Sequence, residues 1–235
     1  MGEPEHDLET ERLQALAELE ILDSPAEAAF DDIVALAAEV CRTKVALIGF
    51  TDGNRHWFKA GVGFATKEMP VDFGFCPMVV RTGRPIEIED TSTDPRWRDV
   101  PLAQPPSNVR FYSGVPIRND GGLVLGSLCV CDTEPRSLSP SQRTALLLLA
   151  RQVEQQLSLR AGLRSMERID RERRQTLDEL TLYRQIIANS ADGIGIIDLE
   201  GRLIEQNESH RRILGYADAE IIGKTPAIHL GDETF

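Results

Sequence analysis

Cysteine is scarce, with four among 235 residues. That is too few for a disulfide-built secreted domain and is consistent with a reducing, cytoplasmic setting. Long hydrophobic runs are missing as well. The longest, residues 145–150, is far short of the roughly 20 apolar residues a membrane-spanning helix needs. The first ten residues are acidic and polar, with neither the basic segment nor the apolar stretch expected of an export signal. Positive charge is in deficit, with Lys+Arg 26 against Asp+Glu 38 and a net charge of −12. A phosphate backbone or an anionic lipid surface attracts the opposite sign, so neither nucleic acid nor membrane is expected as a partner. What is present, 41% hydrophobic and 27% charged residues, describes an ordinary globular chain long enough for one large domain or two small ones.

The hydrophobic period changes along the chain. Leu8, Leu13, Leu16, Leu19 and Leu22 recur at helical spacing and predict a helix over 8–23. Ser24, Pro25 and Glu27 read as a capping box opening a second helix over 25–41, with Phe30, Ile33, Val34, Leu36, Ala37 and Val40 buried. Residues 44–51 form an apolar run stopped by Asp52, Gly53 and Asn54, a strand and a turn, with residues 56–60 as the returning strand. A loop over 64–75, a short helix over 77–82 and an alternating strand over 85–90 follow. Four prolines within 91–108 make that stretch irregular, and residues 112–118 and 123–132 read as a hairpin. Ser139 and Pro140 start a long helix over 139–188. The sum is an α+β domain at about 8–158, an antiparallel sheet of five or six strands with helices on one face.

Six segments carry a family likeness: residues 17–31, Arg55 to Lys59, Phe75 and Cys76, residues 111–117, residues 125–132, and residues 138–142. In this order they resemble the GAF domains at the N-terminus of bacterial sensor kinases and cyclases. Residues 183–235 resemble the first half of a PAS domain: a leading helix to Ser190, a hairpin around Asp198 and Gly201, and Asn207 capping the next helix. A complete PAS domain has three further strands, so the resemblance implies a fragment. The expected organisation is an N-terminal tail over 1–10, a GAF domain over 11–158, a signalling helix over 159–182 and a truncated PAS domain over 183–235. In that helix Leu159, Leu163, Met166, Leu177, Leu180 and Ile187 keep heptad spacing, with Asp170, Arg173 and Arg184 in core positions of the same register. A coiled-coil homodimer is expected, because apolar heptads form a seam and polar residues within it fix register.

The resemblance implies a sensor that is not itself an enzyme, with a histidine kinase or diguanylate cyclase as output. The marks of known GAF and PAS ligand classes are absent, whether for cyclic nucleotide, bilin or flavin, and so are a phosphate loop, a kinase phosphoacceptor box and a cyclase signature. No cofactor is named by the sequence. If a small molecule binds, Phe75, Cys76, Phe111 and Tyr112 are expected to wall the pocket, with Trp57 behind and Arg110 orienting the ligand, since two long loops end at these residues. The same rings could instead pack on one another and leave a dimerising spacer. Cys76 reads either as a reactive thiol or as a small buried apolar residue. Cys129 and Cys131, two apart on a strand, share a face and lack the second pair a zinc site needs, so no metal is expected. An alternative is kept from the thiols: a GAF-type reductase of a small sulfoxide, with Cys76 attacking and Cys129 or Cys131 resolving.

Overall fold

A computed structural model describes residues 3–225, and the final residues of the PAS-like segment, 226–235, lie outside the described residues. The chain divides into two units, Met1–Ser165 and Met166–Phe235.

The first unit is built on a six-stranded antiparallel sheet. Its strands are β1 (Val45–Thr51), β2 (Arg55–Val62), β3 (Glu68–Pro70), β4 (Ile86–Ile88), β5 (Phe111–Arg118) and β6 (Val124–Asp132), in the spatial order β3-β2-β1-β6-β5-β4. β1 and β2 are joined by a turn in which the Asp52 carboxylate accepts from the amides of Asn54 and Arg55. One face of the sheet is covered by α1 (Glu3–Glu18), α2 (Ala28–Cys41) and the start of α4 (Pro140–Asn189). The other lies under α3 (Cys76–Thr82) and the loop of residues 89–110. Helical cover on one face only was the expectation; the short helix at 76–82 supplies the second layer. The stretch 64–75, expected as loop, contains β3.

The helix starts also differ from expectation. The first helix begins at Glu3 and takes in most of the expected tail, and it ends at Glu18 rather than 23. The second begins at Ala28, and Ser24 does not cap it. Lys59 explains why. Between Ile48 and Gly49 the β1–β2 register slips, leaving Lys59 as the extra residue of a bulge. Its side chain is fully buried. A buried ammonium must be hydrogen-bonded, and Ser24 Oγ, the Pro25 carbonyl and Glu27 Oε1 accept from it at 2.5–2.7 Å. The residues that resemble a helix cap are thus spent on a tertiary contact. Within α2, Leu36 is exposed and Val40 half-buried, while Ala38 and Cys41 take the core positions.

α4 does start as expected. Ser139 and Gln142 exchange the reciprocal hydrogen bonds of a capping box. Leu146, Ala150, Val153 and Leu157 then recur on one stripe, buried against the sheet. Beyond that the helix is bare: Leu159, Leu163, Met166, Leu177 and Leu180 are all more than half exposed. Arg160 fixes the place where it leaves the core, donating to the carbonyls of Leu19 and Glu20 and to Glu27.

The second unit pairs β7 (Gly195–Ile197) with β8 (Leu203–Gln206), followed by α5 (Glu208–Leu214) and α6 (Asp218–Ile221). Asn207 caps α5 as expected, its Oδ1 accepting from the amides of His210 and Ile194. Its Nδ2 donates to the carbonyls of Ile187 and Asp192. One side chain thereby joins the end of α4, the turn after it and both strands.

Candidate functional site

The sheet face beneath α3 carries a set of buried reactive groups. Strand alternation selects them. Leu47 on β1, Phe58 on β2, Tyr112 on β5, and Cys129 and Cys131 on β6 all face this side. Two glycines make room for larger neighbours. A Cβ on Gly49 would lie 2.2 Å from His56 Nε2, and one on Gly114 would lie 2.2 Å from the Tyr112 hydroxyl. The imidazole and the phenol therefore lie flat over β1 and β5, where only glycine lets them rest.

From above, Phe75 and Cys76 close the face. The Phe75 ring stands 5.0 Å from that of Tyr112 and 5.9 Å from that of Trp97. Cys76 Sγ lies 3.6 Å from Cys129 Sγ. Both thiols are buried and reduced. The adjacent Cys129 sulfur, and after it burial, push the Cys76 thiol well above its ordinary pKa, while the nearby His56 imidazole pulls it back down. Cys129 is likewise raised, first by Cys131. Burial raises the Tyr112 phenol. The His56 ring is oriented by Thr51, whose Oγ1 is 2.7 Å from Nδ1. His56 Nε2, the Tyr112 hydroxyl and Ser127 Oγ are buried without a hydrogen-bond partner. Each such orphan costs on the order of 1–3 kcal/mol, so three on one face form an unsatisfied polar lining.

The six residues expected at the pocket are divided by the sheet. Phe75, Cys76 and Tyr112 meet on this face. Trp57 and Phe111 belong to the opposite core, against the helices. Alternation forbids Phe111 and Tyr112, adjacent on β5, from sharing a wall, and Trp57 from joining His56 and Phe58. Arg110 is half-buried and donates to the Ala103 carbonyl at 3.1 Å, pinning the 89–110 loop. The polar groups of the site are instead His56, Ser127 and Tyr112. Sequence reasoning passed over the first two, although the same alternation that places Cys129 and Cys131 together places Ser127 beside them. Trp97 was also passed over, being one aromatic inside an irregular loop. Among the described residues no group of three or more His, Cys, Asp or Glu is arranged to hold a metal, and no helix is long and apolar enough to cross a membrane.

Residues 25–157 match the GAF domain family and residues 181–233 the PAS fold. Over 130 residues the chain is 37% identical to the cyclic di-GMP phosphodiesterase PA2567 of Pseudomonas aeruginosa, a match covering 55% of this chain and 22% of that protein. The chain thus spans about a fifth of that relative's length. Similar solved structures include the GAF domain of an Acinetobacter phosphoenolpyruvate-protein phosphotransferase, at 20% identity, 67% of this chain, 94% of that one and a TM-score of 0.48. Another is the free methionine-R-sulfoxide reductase of Neisseria meningitidis, at 16% identity, 61% of this chain, 85% of that one and a TM-score of 0.47. With a six-stranded antiparallel sheet, flanking helices and a family match over more than half its length, the chain belongs to the GAF domain family and continues into a PAS fold.

Proposed function

We propose that this chain is a cytoplasmic sensory module in which the GAF domain receives a signal, α4 relays it as a parallel homodimer, and the PAS segment hands it to an output domain. Histidine kinase and diguanylate cyclase are the outputs implied by the family likeness. The relative from Pseudomonas, named as a cyclic di-GMP phosphodiesterase, adds a third. The chain itself acts as receiver and relay rather than as an enzyme. The observation that carries this reading is α4. Its first turns are buried in the GAF core, and its remainder presents Leu159, Leu163, Met166, Leu177 and Leu180 to solvent at heptad spacing. A second helix of the same kind would cover that seam. Relay then follows from a shift between two dimer registers, one favoured by the signal.

Light scattering of the full chain at micromolar concentration should return about twice its 26.1 kDa mass. A monomer overturns the reading. Asp170, in a core position of the seam, pairs within its own helix with Arg174 at 2.6 Å. Asp170→Leu should tighten the dimer, because a seam carboxylate must otherwise be desolvated.

The 3.6 Å approach of Cys76 and Cys129 favours a second reading, a thiol-based reductase of a small sulfoxide. Turnover of free methionine sulfoxide with a thiol reductant, lost in Cys76→Ser, would establish it in place of the first.

A further inference from the structure

The two sulfurs at the centre of the α3-side face are in contact, belong to different elements, and sit beside an imidazole held by a third residue. We propose that Cys76 and Cys129 are a reversible dithiol–disulfide switch, with His56 as the base and Thr51 as its positioning residue, and that the signal this GAF domain reads is a peroxide. The proposal rests on the sensory reading above and names its input.

The geometry supplies each part. Cys76 opens α3 and Cys129 lies at the middle of β6, paired across the sheet with Leu47 on one side and Gly114 on the other. Their sulfurs are 3.6 Å apart, so a bond of about 2.0 Å requires a closure of about 1.6 Å. Thr51 Oγ1 occupies His56 Nδ1, which leaves Nε2 as the free nitrogen over Gly49. The Cys129 sulfur and burial leave the Cys76 thiol raised, and the nearby imidazole is the group that offsets them and can receive its proton. The other two thiols are less well placed. Cys41 faces the helical core on the far side of the sheet, and Cys131 sits one strand repeat along from Cys129.

The chemistry balances with hydrogen peroxide as the oxidant. His56 takes the Cys76 proton. The thiolate attacks one peroxide oxygen, the O–O bond breaks, and the departing hydroxide takes the proton back from His56 and leaves as water, giving the Cys76 sulfenic acid. Cys129 sulfur then attacks Cys76 sulfur, the S–O bond breaks, and the hydroxyl leaves as a second water with the Cys129 proton. Two thiols lose two electrons and one peroxide gains them. Both cysteines are closed from solvent, which favours a small uncharged oxidant over a bulky one. The bond would fasten α3 to β6. On the opposite face of β6, Leu128 and Val130 pack in the same core as Leu146, Ala150 and Val153 of α4. A change in β6 therefore reaches the relay helix through direct packing.

The test uses the full chain, reduced and then treated with hydrogen peroxide, quenched by alkylation in denaturant and mapped by peptide mass. A linked peptide joining Cys76 to Cys129 is expected, lost on treatment with dithiothreitol and retained in Cys131→Ser. In His56→Gln the link should form at least about tenfold more slowly, the size of a modest general-base effect. Thr51→Val, which releases His56 Nδ1 without removing the ring, should slow it less. Four alkylatable thiols after a peroxide exposure that oxidises free cysteine would overturn the proposal, as would a link through Cys131 or Cys41 in its place. A rate unchanged in both His56→Gln and Thr51→Val would overturn the base assignment. The dimer measurement is independent. A dimer without the Cys76–Cys129 bond overturns the switch alone, and the bond in a monomer overturns the relay while keeping the switch.

Discussion

At the scale of single residues, the two glycines beneath the site make the sharpest demands. Gly114→Ala would set a methyl 2.2 Å from the Tyr112 hydroxyl and 2.7 Å from Cζ. Overpacking of this kind costs about 1–3 kcal/mol, measurable as a lower urea midpoint. Tyr112→Phe removes an unpartnered buried hydroxyl, so it should leave stability equal or slightly raised, and it should shrink the Gly114→Ala penalty without abolishing it, since Cζ remains. Cys41 gives a pH effect. Burial first, and then Glu87, raise its thiol from 9.0 to about 11. An acid whose folded pKa is raised favours the folded state below the unfolded pKa and loses that contribution as pH climbs through the folded one. Thermal midpoints should therefore fall between pH 9 and 11, and Cys41→Ala should flatten part of that decline. On β2, strand alternation sets His56 and Phe58 on one face and Trp57 on the other. The same rule sets Phe111 and Tyr112 on opposite faces of β5, so the division of the expected pocket is legible in the sequence itself.

Among elements, the junction of β2, the segment before α2 and α4 is the most strongly determined. Glu27 Oε1 accepts from Lys59 at 2.5 Å and from Arg160 at 2.9 Å, so strand, loop and helix share one carboxylate. Burial raises the Glu27 pKa, but the two cations outweigh it and hold the carboxyl below 4.5. Its stabilising contribution is present above that value and is lost as pH falls through the folded pKa. Glu27→Gln should remove that acid dependence. Because the Glu27 side chain is 39% exposed, solvent screens the pair and the loss at neutral pH should be modest, about 1–2 kcal/mol by urea denaturation. This junction also shows what the sequence concealed. Ser24, Pro25 and Glu27 have the composition of a helix start, and nothing local distinguishes that from a cradle for a lysine 32 to 35 residues away. The strands of the central sheet other than β3, the α3 helix and α4 were legible because each is set by its own hydrophobic period or cap. The bulge at Lys59 depends on partner strands and was not.

On the scale of the whole molecule, the two units predict independent folding. The buried core of the first ends at Leu157, and Arg164 pairs with Glu20 inside the unit Met1–Ser165. Removing residues 189–235 should leave a cooperative thermal transition at an unchanged midpoint. Its disappearance would show that the PAS segment completes the first core. The borders of the large sheet carry a different consequence. It ends on one side in Glu68–Pro70 and on the other in Ile86–Ile88, strands of only three residues, the first terminated by a proline and each carrying a glutamate. A stray extended peptide arriving at either margin finds too few open amides to template against, and a charge in the way. Runaway fibril growth by strand addition is thereby starved of a seed. If α4 pairs with a second copy as proposed, that helical contact would not have to compete with strand addition at the sheet margins.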